Sequence, residues 1–158
     1  DIERVGIHGH SGGGFMSTAA ILQYPDFFKA AVSCAGNHDN KIYNRWWSET
    51  HHGVKEQVSD KGDTTFLYSI KSNPEIARNL KGHLMLVHGE IDNNVHPGNT
   101  SRVVDALIRA NKRFDMLYLP TQRHGFGDMN EYFYWRLVDH FTDYLIDGRT
   151  KEVDIPQR

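Results

Sequence analysis

Four short apolar runs, Arg4 to His8, Ala30 to Ala35, His83 to His88 and Asp115 to Leu119, are spaced along the chain with longer stretches of helical character between them. Gly13 to Tyr24 is helix-forming, largely apolar and closed by Pro25. Pro97 to Ala110 places Val103, Val104, Leu107 and Ile108 at helical spacing, with Pro97 suited to a first turn that needs no amide donor. Glu131 to Ile146 repeats the pattern with Phe133, Tyr134, Leu137, Val138, Phe141, Tyr144 and Leu145. Strands that alternate with helices, and that read as continuous apolar runs, predict an α/β fold whose mostly parallel sheet is covered by helices on both faces.

A chain of 158 residues is long enough to bury one core, so a single domain is expected over residues 1–147, followed by a polar tail, residues 148–158. The formal charge of -2 comes with no long like-charge run, which argues against nucleic acid and points to small or peptidic partners. No stretch reaches the ~20 apolar residues of a membrane span, and Asp1-Ile2-Glu3-Arg4 lacks the basic-then-apolar layout of a signal peptide. Cys34 is the single cysteine and lies inside an apolar run, as an inert core thiol would. Gly36 to Asp63 breaks the alternation: rich in His, Asn, Trp and Gly, it is too long for a plain connection and reads as a functional insertion or a disordered one.

Gly9-His10-Ser11-Gly12-Gly13 is a G-x-S-x-G sequence placed between a predicted strand and a predicted helix. A sharp turn there would hold the Ser11 hydroxyl clear of the sheet, with Gly9 and Gly13 leaving room on either side. It would also aim the amide of Gly12 at a developing oxyanion, with the positive end of the helix adding to the field. A phosphate-binding turn is the competing reading, but no Gly-Lys-Ser/Thr follows.

The third apolar run leads into Gly89-Glu90-Ile91-Asp92-Asn93-Asn94-Val95-His96, and catalytic groups of parallel sheets lie at such strand ends. Asp92 is the candidate acid that would hold one tautomer of the catalytic imidazole, and Glu90 is the second choice. After the fourth run, His124 stands beside Gly125 and would move the proton from Ser11 to the leaving group. Among ten histidines, His124 is singled out by completing the chain order Ser, Asp, His. Glu49, His51 and His52, with His38 and Asp39 upstream, do not have the spacing of a metal site, so neither metal nor cofactor is expected.

Taken together, Gly9-His10-Ser11-Gly12-Gly13-Gly14, His88-Gly89-Glu90-Ile91-Asp92-Asn93-Asn94-Val95-His96 and His124-Gly125-Phe126 resemble the catalytic domain of the prolyl oligopeptidase family, in its dipeptidyl peptidase IV branch. The resemblance runs from Val5 to about Leu145 and implies the C-terminal part of an α/β-hydrolase fold. It implies that Tyr43 and Trp47 line the pocket for the residue before the scissile bond, that Asn94 helps hold the substrate carbonyl, and that Val95 closes the pocket wall. A flat pocket of this kind would accept proline or another small residue, as in release of N-terminal Xaa-Pro or Xaa-Ala dipeptides.

The same resemblance implies that the earlier hydrolase strands, an upstream tyrosine serving as second oxyanion donor, and an N-terminal β-propeller belong to a full-length protein. Gly12 stands where dipeptidyl peptidase IV has a tyrosine. Three readings follow from these residues: a serine peptidase, a carboxylesterase-like hydrolase with the same triad, or a segment that is inactive alone and assembles through its sheet edges, a homodimer included.

Overall fold

The computed structural model describes residues 1–146. The tail expected over residues 148–158 lies outside the described residues.

Strand β1 (Val5–His10) leads into helix α1 (Gly12–Gln23), and β2 (Phe28–Cys34) follows. Strand β5 (His83–Gly89), helix α4 (Gly98–Arg109), β6 (Asp115–Leu119) and helix α5 (Asn130–Leu145) complete the alternation. The four strands form one parallel sheet in the order β1-β2-β5-β6. Each predicted strand and helix is present, displaced by at most two residues at an end. The differences lie at termini, where the hydrogen-bond ladder and not the hydropathy pattern sets the limit.

Two cores follow from side chains alternating across the sheet. Ala31, Leu84 and Leu86 face Ile21 and Leu22 of α1 and Val103 and Leu107 of α4. Val32, Cys34, Met85 and Val87 face the other way, onto Leu119, Phe126 and Phe133, with Leu137 and Phe141 of α5 at the margin. Helices therefore cover both faces, and the central strands β2 and β5 are buried almost throughout. Burial pushes the Cys34 thiol up to about 12, which keeps it un-ionised and unreactive. On α4, Ile108 of the predicted apolar stripe is exposed, whereas the polar Asn99 and Thr100 are buried.

The insertion read over Gly36 to Asp63 is ordered, and the irregular stretch continues past it to Ile76. A short 3₁₀ turn (Asn40–Ile42) leads to helix α2 (Arg45–His51), a two-stranded antiparallel hairpin, β3 (Val54–Val58) with β4 (Thr64–Tyr68), and the short helix α3 (Asn73–Ile76). The hairpin escapes a hydropathy reading because it is largely exposed on both faces and lacks a buried stripe. The register His10↔Cys34, Cys34↔Val87 and Gly89↔Leu119 brings the carboxyl ends of all four strands to one edge, where the loops carrying Ser11, Asp92 and His124 emerge.

Candidate active site

Ser11 occupies the turn between β1 and α1 with φ 59 and ψ -121, a backbone region that non-glycine residues rarely adopt. Serine is a favoured N-cap, yet this one makes no capping bond to its helix. The backbone holds the residue instead: Ser11 N–H donates to the Cys34 carbonyl (2.8 Å), and the Ser11 carbonyl accepts from Phe15 N–H (3.0 Å). The hydroxyl is thus not committed to the helix, at some backbone strain. Gly12 opens α1, so its amide has no acceptor within the helix and points to the open end.

The glycines that make the elbow possible differ from the sequence expectation. A Cβ on Gly9 would clash with the Gly13 carbonyl, as expected, but a Cβ on Gly13 would meet open space. The second tight position is Gly14, whose Cβ would run into the Cys34 carbonyl and lie 3.0 Å from the Gly36 Cα. The first turn of α1 lies on the end of β2, and Gly14 is the residue that faces it. Two buried hydroxyls brace this contact, Ser17 donating to the Gly13 carbonyl (2.8 Å) and Ser33 to the Gly14 carbonyl (2.7 Å).

Asp92 is buried at the loop after β5. One carboxylate oxygen accepts the amides of Asn94 (2.9 Å) and Val95 (3.0 Å), and the other accepts Nδ1–H of His124 at 2.7 Å. The aspartate is therefore aimed by its own loop, and the imidazole is left with Nε2 free of the proton. A further buried group, His88, reaches the same Oδ2 at 3.3 Å, with its Nε2 2.8 Å from the Val95 carbonyl and its Nδ1 2.7 Å from the Thr100 hydroxyl. Burial is the largest influence on His88 and holds it below the ordinary histidine value, so it is a neutral Nε2–H donor. Sequence reading missed this role, since His88 falls in an apolar strand and Thr100 in a helix. The signal was the pairing of a strand-end histidine with a buried threonine early in α4.

The acid and base loops are stitched together. Glu90 N–H donates to the Leu119 carbonyl (2.9 Å), Ile91 N–H donates to the Gln122 carbonyl (3.0 Å), and the Glu90 carboxylate accepts Thr121 N–H (2.8 Å). Glu90, the second-choice acid, is thereby a brace for the histidine loop. A Cβ on Gly89 would come within 2.5 Å of the Gln122 carbonyl, so a small residue is required where the loops touch. The returning loop brings the His124 ring to the end of β1, 4.8 Å from the His10 ring and edge-to-face with it.

A cleft of about 450 Å³ opens beside Ser11, lined by Gly12, Phe15, Met16, Trp47 and His51 among others. Trp47 belongs to this lining and stacks on His51 with ring centroids 4.0 Å apart. Its indole N–H is buried without an acceptor among the described residues. A Cβ on Gly12 would lie 2.9 Å from the Trp47 ring, so the indole occupies the space that a side chain at position 12 would need. Tyr43 and Asn94 do not line this cleft but are joined to each other, the phenol donating to Asn94 Oδ1 (3.2 Å), and the Tyr43 ring lies edge-on to that of Trp47 with centroids 6.4 Å apart. Val95 is wholly buried and takes part through its backbone, one group on Asp92 and one on His88; its side chain is not at the cleft surface.

With that geometry established, the relatives fall into one group. The sequence model described as "Prolyl oligopeptidase family" matches residues 1–147. The chain belongs to the prolyl oligopeptidase family. Among similar members of the family, dipeptidyl peptidase 8 of Homo sapiens is 31% identical over 147 residues, 92% of this chain and 16% of that protein. Prolyl endopeptidase FAP of Mus musculus is 28% identical over 148 residues, 92% of this chain and 18% of that protein. The crystal structure of Porphyromonas gingivalis dipeptidyl peptidase 4 superposes with a TM-score of 0.76 at 27% identity, covering 92% of this chain and 20% of that one. The chain thus spans less than a fifth of the length of these curated relatives and forms a mixed α/β portion like that in the dipeptidyl peptidase structures of the prolyl oligopeptidase family.

Proposed function

We propose that this chain carries the catalytic residues of a serine peptidase that works through an acyl-enzyme. The observation that carries the reading is the 2.7 Å bond from His124 Nδ1 to a buried, pre-aimed Asp92, at the strand-end edge where Ser11 is held in a strained turn with its hydroxyl not committed to the helix cap.

Ser11 Oγ attacks the peptide carbonyl carbon while its proton passes to His124 Nε2. Asp92 stabilises the resulting imidazolium and keeps Nδ1 protonated throughout. The Gly12 amide donates to the oxyanion of the tetrahedral intermediate. Collapse breaks the C–N bond, His124 gives its proton to the departing amine, and water repeats the sequence on the acyl-serine to release the acid.

The substrate is a peptide, and the finer reading is release of N-terminal dipeptides of the Xaa-Pro or Xaa-Ala type, supported by the dipeptidyl peptidases among the relatives. In this reading Tyr43 and Trp47 flank the residue before the scissile bond, and Asn94 helps hold the substrate carbonyl. The full-length protein should be treated with a fluorophosphonate probe and assayed on an Ala-Pro amide and a short acyl ester, each beside Ser11→Ala. Labelling and amide turnover that both vanish in Ser11→Ala are the expected result. Ester turnover without amide turnover would make the protein an esterase, and labelling indifferent to Ser11→Ala would overturn the assignment.

A further inference from the structure

The middle position before the serine in G-x-S-x-G is open to any residue, and here it is a second imidazole in contact with the first. The His10 ring lies 4.8 Å from the His124 ring at an interplanar angle of 71°, and 5.2 Å from the Phe126 ring at 68°. Phe126 is almost wholly buried and is held at φ 62, so it forms a fixed wall behind the His10 ring. His10 as a whole remains exposed, with its ring against His124 on one side and Phe126 on another.

We propose that His10 is a positioning residue that acts as a charge gate on His124: neutral, it gives the catalytic imidazolium an aromatic neighbour; protonated, it opposes formation of that imidazolium. This rests on the reading of Ser11, His124 and Asp92 as nucleophile, base and acid. In the attack step the Ser11 proton moves to His124 Nε2, so a positive charge must appear on a ring packed against His10. A neutral aromatic face accommodates that charge, whereas a second imidazolium at this separation repels it.

The charged and titratable groups around His10 are few. His124 packs directly against it from the loop after β6, Asp92 lies beyond it on the loop after β5, and His88 lies behind on β5. Burial, then the His124 charge, lower the His10 proton affinity below the ordinary value of 6.5, with Asp92 and the His124 backbone opposing in part. His10 is accordingly neutral at neutral pH and gains its proton only in acid. Two protons then separate the active from the inactive form, one on His124 and one on His10.

The test is the pH dependence of the rate at which a fluorophosphonate probe labels the full-length protein, with wild type, His10→Phe, His10→Gln, His10→Lys and Ser11→Ala compared. In the wild type the logarithm of the labelling rate should fall in acid with a slope that steepens from one towards two. His10→Phe and His10→Gln should both show a slope of one throughout. At pH 8, His10→Lys, which carries a permanent charge near the gate, should be labelled at least tenfold more slowly than His10→Gln. A slope that is unchanged in both neutral variants, or equal labelling of His10→Lys and His10→Gln, would overturn the proposal. Labelling that persists in Ser11→Ala would instead overturn the assignment of the nucleophile, and a uniform loss of rate without a change in slope would reduce His10 to packing.

Discussion

Asp92 and His88 share a buried contact of 3.3 Å on the same carboxylate oxygen that accepts the Nδ1–H of His124. That oxygen therefore faces two imidazoles with different assignments, one open to the site and one locked between the Val95 carbonyl and the Thr100 hydroxyl. Replacing the carboxylate by an amide removes the acceptor that fixes the His124 tautomer. Asp92→Asn is expected to lower kcat by about 10⁴-fold with little change in KM, as the loss of an aspartate in such a triad does. Steady-state kinetics on the full-length protein checks this, and a loss confined to KM would remove Asp92 from the acid role.

His88 is expected to act through Asp92. In His88→Phe, the Val95 carbonyl and the Thr100 hydroxyl lose a partner inside the core, and each buried polar group left unpaired costs about 1–3 kcal/mol. The unfolding midpoint in urea should fall, and kcat should fall by much less than in Asp92→Asn. A variant as inactive as Asp92→Asn but of undiminished stability would place His88 in the proton path itself.

The elbow glycines divide into a required and a tolerant one. Gly14→Ala drives a methyl group into the backbone of β2, which no side-chain rotation relieves, and a loss of about 3 kcal/mol, the upper end for overpacking, is expected. Gly13→Ala meets no atom and should lie within about 1 kcal/mol of the wild type. Thermal unfolding of the two variants separates them, and equal destabilisation would contradict the placement of α1 on β2.

Gly12 and Trp47 are expected to be coupled. Gly12→Ala places its methyl 2.9 Å from the indole and should slow fluorophosphonate labelling; Trp47→Phe in the same chain should restore part of the loss. A double-mutant cycle measures this, with a coupling of about 0.5–3 kcal/mol expected for residues in contact. Strict additivity would mean that the indole does not occupy the space in front of position 12.

Acid should weaken the fold through His38, which is completely buried behind the elbow, its Nε2 without a partner among the described residues. Burial lowers it from 6.5 to about 3, so the unfolded chain takes up a proton at a pH where the folded chain does not. Its contribution is intact above 6.5 and is lost as pH falls from 6.5 towards 3, at up to ~1.4 kcal/mol per pH unit. Between pH 7.5 and 5.0 the loss from this group is about 2 kcal/mol, and His38→Gln should lose less over the same interval in urea titrations. An equal loss in both would assign the acid sensitivity to other groups, such as His52, His88 and His140, which burial also lowers.

Much of this protein was legible from residue order. Apolar runs separated by amphipathic segments determine a parallel sheet with covered faces, because a strand buried on both sides must be apolar throughout and needs a crossover to its parallel neighbour. The turn at Ser11 was legible because a helix opening directly from a strand end requires glycine, and the candidate acid and base could be proposed because each follows its own strand. The exposed hairpin was not legible, since residues wet on both faces carry no period.

Only the tertiary structure decided which residues meet across strands. His10, His88, Asp92, Thr100 and His124 come from five separate elements or loops, and their contacts depend on the register and return angle of loops that no local pattern encodes. For the same reason the tight glycine proved to be Gly14 and not Gly13: local sequence determines that a turn is needed, but the nearest foreign backbone, the Cys34 carbonyl on β2, determines which residue has no room for a Cβ.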